Sequence, residues 1–286
     1  MITGTTRLLG VIGAPIEHSL SPIIQNAALR AANLDYVYTA FPVSRCALDS
    51  AVRGLRDAGV VGFNVTIPFK TEVMRLMDEL SEDARRIQAV NTVVVQSDGR
   101  LRGCNTDAIG FCAGLEERGI DLHGKKAVLI GAGGAARAAL WGLLRSGISS
   151  VDIGVRTIEK GQMLCRDFTM DADVHAYRFD DSAFSTALSC ADIVVQTTPM
   201  GMTPDIEKMP PVDIAAIHSA AVLYDLIYTP DNTCFLREAA ARGHETINGE
   251  TMLVAQGAEA FFLWTGVRPD TSLMKRVLRE ELVRRG

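Results

Sequence analysis

The segment AVLIGAGGAARAAL, residues 127–140, constrains the fold more than any other part of the chain. An apolar run ends at Gly131, and an alanine-rich stretch of helical character follows it. Gly131, Gly133 and Ala136 have the spacing G-x-G-x-x-A, in which the first glycine allows a tight turn and the second lets backbone approach a pyrophosphate. The small third residue lets the helix pack on the strand. The segment therefore predicts a Rossmann-type turn that binds a dinucleotide, and a tight turn without a ligand is the alternative.

Apolar segments alternate with helical patterns along the whole chain, which is typical of an α/β protein. After the glycine-rich turn, the segments SVDIGV, ADIVVQTTP and AVLYDLIY are almost wholly apolar, as expected of parallel strands covered by helices on both faces. Before it, LLGVIG, YVYTAFPV and VVGFNVTI predict three more strands. The intervening stretch 21–34 predicts a helix with Ser21 as its N-cap and Pro22 at its first position.

The rest of the pattern suggests two domains. Residues 71–80 have a helical spacing of apolar positions, residues 91–107 resemble a hairpin with Asp98-Gly99 in the turn, and two helices are predicted within 250–266 and 271–286. We expect these last helices to return to the first domain. The predicted domains are residues 1–107 with 244–286, for substrate binding, and residues 108–243, a doubly wound Rossmann domain.

Composition excludes several classes of protein. The net charge of −5, with no cluster of lysine and arginine, argues against nucleic-acid binding. The six cysteines show no C-x-x-C pair, so we expect neither a disulfide framework nor a zinc site, and no cluster with ligand spacing suggests another metal. There is neither a signal peptide pattern nor an apolar segment long enough to span a bilayer, so we expect a cytoplasmic protein.

The end of the strand after the glycine-rich turn bears on the choice of dinucleotide. NAD-binding folds usually carry Asp or Glu there, which binds the ribose hydroxyls. In this chain Arg156, Thr157 and Lys160 follow that strand. Two cations and a hydroxyl suit a 2′-phosphate, so the sequence favours NADP over NAD. An exposed basic start of a helix is the structural alternative.

Polar residues end several apolar segments of the first half. The segments HSLSP, NVTIPFK, AVNT and GCNTD supply hydroxyl, amide, ammonium and carboxylate groups. Each residue alone has a structural explanation, such as a helix cap, a turn residue or a solvated strand end. The residues are Ser19, Ser21, Asn64, Thr66, Lys70, Asn91, Asn105, Thr106 and Asp107.

Taken in order, these motifs resemble those of the shikimate dehydrogenase family. The resemblance runs from GAPIEHSLSP through FNVTIPFK, AVNTV, GCNTDAIGF, GAGGAARAA and DLIYTP to GETMLVAQGAEAFFLWTG, which is nearly the whole chain. It implies a substrate-binding domain completed by C-terminal helices, and a Rossmann domain for NADP across a cleft. It also implies reversible reduction of 3-dehydroshikimate at its C3 carbonyl, a step toward chorismate and the aromatic amino acids.

The resemblance also implies roles for individual residues. Ser19 and Ser21 would bind the substrate carboxylate, Lys70 and Asp107 would be catalytic, and Tyr228 would close the site. Thr66, Asn91 and Gln256 would join Lys70 and Asp107 around the ring hydroxyls. The cofactor would lie against Gly131, Ala132, Gly133, Gly134, Ala135, Val155, Arg156, Thr157, Lys160, Leu226 and Gly249.

Five residues depart from the usual family pattern. Gln25 stands in place of histidine, Gln88 and Thr251 in place of glycines, Val155 in place of the asparagine of NRT, and Gln196 in place of an asparagine. None is a catalytic group, but Gln25, Val155 and Gln196 bear on substrate and cofactor preference.

Two questions stay open at the level of sequence. Burial and a neighbouring carboxylate change the proton affinity of a lysine in opposite directions. Lys70 can therefore be an acid/base or a fixed cation oriented by Asp107.

The second question is the reaction itself. The alternatives are a quinate or quinate/shikimate dehydrogenase that uses NAD or NADP, a non-catalytic regulator that binds shikimate or nucleotide, and another two-domain Rossmann enzyme of methylene-tetrahydrofolate dehydrogenase type. The expected partners are small molecules rather than nucleic acid or membrane, and the chain can be a monomer or a homodimer.

Overall fold

The computed structural model describes residues 2–168 and 173–285. Within them the chain forms two compact units. The first contains the residues up to Gly110 and those from Val254 onward, and the second contains Phe111–Leu253.

The first unit is built on a mixed six-stranded sheet with the order β2-β1-β3-β5-β6-β4. The strands β1, β2 and β3 are parallel, β5 is antiparallel to β3 and β6, and β4 is parallel to β6. The antiparallel pair is the hairpin predicted from Asp98-Gly99, and Gly99 has the positive φ that such a turn requires. The strands are β1 (Arg7–Gly13), β2 (Tyr36–Pro42), β3 (Gly62–Val65), β4 (Glu79–Leu80), β5 (Thr92–Val95) and β6 (Leu101–Cys104).

Helices cover this sheet and connect its strands. Two short 3₁₀ helices also occur, Arg45–Ala47 and Glu72–Leu76. The helix predicted over 71–80 is wrong: the chain forms only the second of these 3₁₀ turns, because Glu79 and Leu80 pair with β6 as an edge strand. The first four α-helices are α1 (Ser21–Ala31), α2 (Leu48–Asp57), α3 (Glu82–Ile87) and α4 (Asp107–Glu116).

The second unit contains a wholly parallel sheet with the order β12-β11-β10-β7-β8-β9. Read from β9 inward, this is the 3-2-1-4-5-6 order of a doubly wound Rossmann domain. The α/β prediction with a Rossmann-type domain is therefore confirmed. The strands are β7 (Lys126–Ile130), β8 (Ser150–Val155), β9 (Asp173–Arg178), β10 (Ile193–Gln196), β11 (Val222–Asp225) and β12 (Thr246–Ile247).

Both faces of the second sheet are covered, in agreement with its apolar strands. A 3₁₀ helix, Ile214–Ala216, precedes β11. The helices are α5 (Gly134–Arg145), α6 (Ile158–Phe168), α7 (Ser182–Cys190) and α8 (Cys234–Ala241).

The chain returns to the first unit through α9 (Glu250–Thr265), and α10 (Thr271–Arg285) packs against α1. Gly286, the last residue of the segment predicted as the final helix, lies outside the described residues. The Trp264 indole lies on the first sheet and donates a hydrogen bond to the Val93 carbonyl at 2.9 Å. A Cβ at Gly62 would lie 2.3 Å from the indole nitrogen, so only glycine fits beneath that ring.

The chain passes from the first unit to the second after Gly110 and returns after Leu253. The sequence predicts these two boundaries after residues 107 and 243. The larger difference has a clear cause. Thr246 and Ile247 form β12, which pairs with β11 and so belongs to the second sheet.

Candidate active site

An ion pair between Lys70 and Asp107 is the central feature of the first unit. Lys70 Nζ lies 2.6 Å from Asp107 Oδ2, and the side chains are 24% and 8% exposed. Lys70 can therefore still reach a small molecule, while Asp107 is nearly enclosed. An ammonium group held on a carboxylate in this way is a charge-assisted hydrogen bond donor toward a ligand oxygen.

The backbone fixes both partners of this pair. Phe69 is fully buried, and the Lys70 carbonyl accepts a hydrogen bond from the Val90 N–H at 2.7 Å. Asp107 is the first residue of α4, and its N–H donates to Asn105 Oδ1 at 2.9 Å. Because the anchors are backbone groups and buried side chains, the two charged groups meet in one defined geometry.

Asn91 supports the carboxylate of the pair. Its amide nitrogen donates to Asp107 Oδ1 at 2.8 Å and to Thr106 Oγ1 at 2.9 Å. Its amide oxygen accepts from the Thr106 N–H at 2.9 Å. Asn91 is 3% exposed, so its side chain positions Asp107 and has almost no contact with solvent. Of the predicted residues, the structure thus brings Lys70, Asn91 and Asp107 together.

Ser19 and Ser21 lie at the start of α1, both half-buried. The prediction that Ser21 is the N-cap is wrong: Ser21 is the first helical residue and Leu20 is the cap. Ser19 Oγ instead accepts the Ser21 N–H at 3.3 Å, because the serine two residues earlier can reach this N–H. Two hydroxyls at the positive end of the helix dipole suit a carboxylate.

Thr66 and Gln256 occupy different parts of the first unit. Thr66 follows the end of β3, and its N–H donates to the Ile12 carbonyl at 3.0 Å. Gln256 lies on α9 and is half-buried.

The glycine-rich turn in the second unit has the form that the sequence predicts. Gly131 has φ +106°, and a Cβ there would lie 2.8 Å from both Thr197 Oγ1 and Thr198 Cγ2. Gly133 and Gly134 are exposed at the start of α5, and a Cβ on either would meet no atom within 4 Å. Ala136 is fully buried. This leaves open space over a helix N-terminus whose N–H groups favour an anion, so the residues present fit a dinucleotide pyrophosphate.

The residues after β8 divide into two groups. Arg156, Thr157 and Lys160 are exposed, whereas Val155 is 3% exposed and packs in the core of the second unit. The family resemblance implies that Val155 contacts the cofactor, and the side chain of Val155 packs against the position of Gly161.

The segment after β11 carries the remaining predicted residues. Gly249 packs so closely on Leu226 that a Cβ would lie 2.1 Å from the Leu226 carbonyl oxygen. Leu226 and Tyr228 are half-buried. Asp225, fully buried, anchors this segment: it accepts the Ile227 N–H at 3.0 Å and the Thr233 hydroxyl at 2.7 Å. Burial raises the pKa of Asp225 to about 7, against the effect of these two hydrogen bonds.

Residues 2–168 and 173–285 contain no group of three or more His, Cys, Asp or Glu side chains arranged to hold a metal ion. None of their helices combines the length and apolarity needed to cross a bilayer.

Three family models match the chain in succession. The shikimate dehydrogenase substrate binding domain matches residues 11–93, shikimate / quinate 5-dehydrogenase matches residues 115–213, and the shikimate 5′-dehydrogenase C-terminal domain matches residues 249–279. The shikimate dehydrogenase (NADP(+)) of Carboxydothermus hydrogenoformans is 42% identical over 97% of this chain and 98% of its own. This chain belongs to the shikimate dehydrogenase family.

Solved structures of the family agree with the fold. Shikimate 5-dehydrogenase from Listeria monocytogenes, in complex with shikimate and NAD, has a TM-score of 0.91 and 34% identity, over 97% of this chain and 98% of that one. Quinate dehydrogenase from Corynebacterium glutamicum, in complex with NAD, has a TM-score of 0.88 and 30% identity, over 96% and 99%. The family thus includes members with either substrate.

Three departures from the shikimate dehydrogenase pattern are buried in this chain. The Gln25 amide nitrogen donates to the Gly257 carbonyl at 2.9 Å. Val155 packs in the core, and Gln196 donates to the carbonyls of Thr198 and Met200 at 3.1 and 3.0 Å. The two glutamines therefore form hydrogen bonds with main-chain carbonyls, and Val155 fills the core.

Sequence reasoning misses several residues that shape the site. Tyr38 and Thr92 are 2% and 0% exposed and belong to the polar contacts around Asn64 and Asn91. Both lie in strands, where aromatic and β-branched residues are common, so a single sequence does not indicate that they take part in the polar contacts of the site. The buried Asp225 in DLIYTP is a signal, because a carboxylate in an apolar strand is unusual.

Proposed function

We propose that this protein is an NADP-dependent shikimate dehydrogenase that reversibly reduces the C3 carbonyl of 3-dehydroshikimate. The observation that carries the proposal is the Lys70–Asp107 ion pair, with 2.6 Å between Nζ and Oδ2. It lies in the unit that contains the match to the substrate binding domain. The pair offers a cation and a proton at the place where a substrate oxygen would bind.

The substrate is held by its polar groups. The Ser19 and Ser21 hydroxyls bind the carboxylate at the N-terminus of α1, where the helix dipole favours an anion. Thr66, Asn91 and Gln256 bind the ring hydroxyls, and Tyr228 closes the site. Lys70 donates to the oxygen on C3, and Asp107 holds Lys70 in place.

The cofactor is held by the second unit. The turn from Gly131 to Ala135 binds the pyrophosphate, Arg156, Thr157 and Lys160 bind the 2′-phosphate, and Leu226 and Gly249 lie near the nicotinamide. Val155 contributes its backbone only. When bound, NADPH supplies the hydride that the reduction requires.

Reduction of the carbonyl places negative charge on the C3 oxygen. The Lys70 ammonium faces that oxygen and stabilises the charge, and the product hydroxyl needs a proton at the same atom. Asp107 keeps the ammonium oriented, while Asn91 holds the second oxygen of Asp107. In the oxidation direction the same groups receive the hydroxyl proton.

The similarity to a quinate dehydrogenase supports one alternative substrate. Quinate carries an additional hydroxyl on the carbon that bears the carboxylate, so the serine pair would have to admit it. The intact Lys70, Asp107 and glycine-rich turn argue against a non-catalytic regulator. We also propose that the enzyme acts in the cytoplasm, as a monomer or homodimer.

The test is a matrix of four assays at the reduced-nicotinamide absorbance, with shikimate or quinate and with NADP or NAD. We expect the highest kcat/KM with shikimate and NADP. A higher value with quinate, or with NAD, would replace the substrate or cofactor named above. Activity with none of the pairs would overturn the enzymatic function.

A further inference from the structure

Tyr38, to which the proposed reaction assigns no role, lies at the start of a buried chain of hydrogen bonds. Tyr38 is 2% exposed, and its hydroxyl donates to Asn64 Oδ1 at 2.7 Å. The Ser21 side chain is hydrogen-bonded to the same phenol, which lowers the pKa that burial raises. Because burial dominates, Tyr38 stays a neutral phenol and keeps its proton for Asn64.

The chain continues from Asn64 to the ion pair. Asn64 Nδ2 donates to Thr92 Oγ1 at 3.1 Å, and the Thr92 hydroxyl donates to Asn91 Oδ1 at 2.9 Å. Asn91 Nδ2 then donates to Asp107 Oδ1 at 2.8 Å. Asp107 Oδ2 accepts from Lys70 at 2.6 Å. All members between Tyr38 and Asp107 are less than 9% exposed.

Every donor in this chain points the same way. From Tyr38 to Asp107, each side chain accepts from the residue before it and donates to the residue after it. Hydrogen bonds arranged head to tail polarise one another and are stronger in a low-dielectric interior. The last acceptor is a carboxylate, so the orientation suits its negative charge.

An asparagine amide keeps its shape when it is turned by half a rotation, so the hydrogen-bond partners of Asn64 and Asn91 decide their orientations. Two partners fix the orientation of Asn64: its nitrogen donates to the main-chain carbonyl of Asn91, and its oxygen accepts the Tyr38 proton. The distance from Asn64 Nδ2 to the main-chain carbonyl oxygen of Asn91 is 3.1 Å, so this hydrogen bond links the two asparagines directly. Main-chain groups of Asn91 and Thr106 set the direction of the chain, and Tyr38 supplies the proton that satisfies its first acceptor, Asn64 Oδ1.

We propose that Tyr38 is a positioning residue for the reaction, which acts through Asn64, Thr92 and Asn91 to hold Asp107 against Lys70. Its hydroxyl contacts Asn64 and Ser21 and reaches the ion pair only through the chain. The inference rests on the proposed function, because its readout is turnover of shikimate.

The experiment compares Tyr38→Phe with Tyr224→Phe in the full-length chain. The two tyrosines are matched, since Tyr224 is fully buried and its hydroxyl has no hydrogen-bond partner among the described residues. Phenylalanine keeps the ring contact of Tyr38 with Trp264, whose centroid lies 6.0 Å away. Each variant is assayed with shikimate and NADP, and in reverse with NADPH deuterated at the transferred position.

We expect Tyr38→Phe to lower kcat about tenfold, to change KM for shikimate and NADP less than threefold, and to raise the deuterium isotope effect on kcat. Tyr224→Phe should leave all of these values unchanged. A kcat within twofold of the wild type, or a loss confined to KM for shikimate, would overturn the inference. An inactive wild type overturns the proposed function and, with it, the inference.

A second pair keeps the inference testable if Tyr38→Phe does not fold. Thr92→Val has the same shape as threonine but lacks the hydroxyl that joins Asn64 to Asn91, whereas Thr92→Ser retains the hydroxyl. We expect Thr92→Val to lower kcat with little change in KM, and Thr92→Ser to retain most of the wild-type kcat. Equal kcat values for the two variants would refute a directed chain.

Discussion

Lys70 and Asp107 are 37 positions apart in the sequence, yet Nζ of one lies 2.6 Å from Oδ2 of the other. Lys70 is held through the Val90 N–H, and Asp107 through Asn91 and Asn105. The pair is therefore a property of the folded first unit. Its geometry makes Lys70 a donor of fixed direction, and this leads to the first prediction.

Replacing Lys70 should reduce catalysis far more than binding. A positioned proton donor contributes about 10²–10⁴-fold to a rate. We expect Lys70→Ala to lower kcat about 10³-fold and to change KM for shikimate less than tenfold. Lys70→Arg separates the two roles: a fixed cation retains more activity than alanine, whereas a proton carrier does not, because guanidinium does not deprotonate.

Asp107→Asn serves as the partner variant for this series. It preserves the size of the side chain and removes the charge that orients Lys70, so we expect kcat to fall about 10²-fold. Steady-state kinetics with shikimate and NADP measure both values. An Asp107→Asn or Lys70→Ala enzyme with wild-type kcat would remove the pair from the mechanism.

Two glycines of the turn should separate folding from cofactor binding. Gly133 has φ −88° and open space at its Cβ, so Gly133→Ala should fold normally and raise KM for NADP at least tenfold, because the methyl group stands where a pyrophosphate approaches. Gly131 has φ +106° and close neighbours, so Gly131→Ala should cost about 2 kcal/mol of unfolding free energy. Urea unfolding and kinetics measure the two effects, and the reverse pattern would contradict this prediction.

The exposed cations after β8 should select the phosphorylated nucleotide. A hydrogen bond to a charged group contributes about 1.5–3 kcal/mol, which is about a 10- to 100-fold change. We expect Arg156→Ala to raise KM for NADP by that factor and to leave KM for NAD unchanged, with a smaller effect for Lys160→Ala. Arg242→Ala, which removes an exposed arginine paired with Glu238, is the control. Equal changes for NADP and NAD would exclude a contact with the 2′-phosphate.

The fold was largely predictable because its signals are local. The G-x-G-x-x-A turn, the apolar strands of the second sheet and the Asp98-Gly99 hairpin each depend on a few neighbouring residues. The predicted helix over 71–80 failed where pairing of Glu79 and Leu80 with a distant strand overrode the local pattern. Tyr38 and Thr92 could not be predicted for the same reason, since they join Asn64 and Asn91 only through tertiary contacts.

Gln88 shows how a departure from the family pattern can be explained by the backbone. It ends α3 with φ 57° and ψ 39°, in the left-handed region, where glycine is usual and a side chain costs about 1 kcal/mol. We expect Gln88→Gly to raise the free energy of unfolding by about 1 kcal/mol. Gln88→Ala keeps the Cβ and should show no such gain in urea unfolding. A stabilisation by both variants, or by neither, would rule out backbone strain as the cause.

The buried Asp225 should make stability depend on pH. Its pKa is raised from 3.8 to about 7 by burial, so between these values the folded state keeps a proton that the unfolded state has lost. Stability therefore falls as the pH rises through this window, by up to on the order of 4 kcal/mol at 1.36 kcal/mol per pKa unit. Asp225→Asn mimics the protonated acid and can still bond the Ile227 N–H and Thr233. We expect its unfolding free energy relative to wild type to increase from pH 4 to pH 8 in urea titrations, whereas parallel curves would show that Asp225 does not titrate on folding.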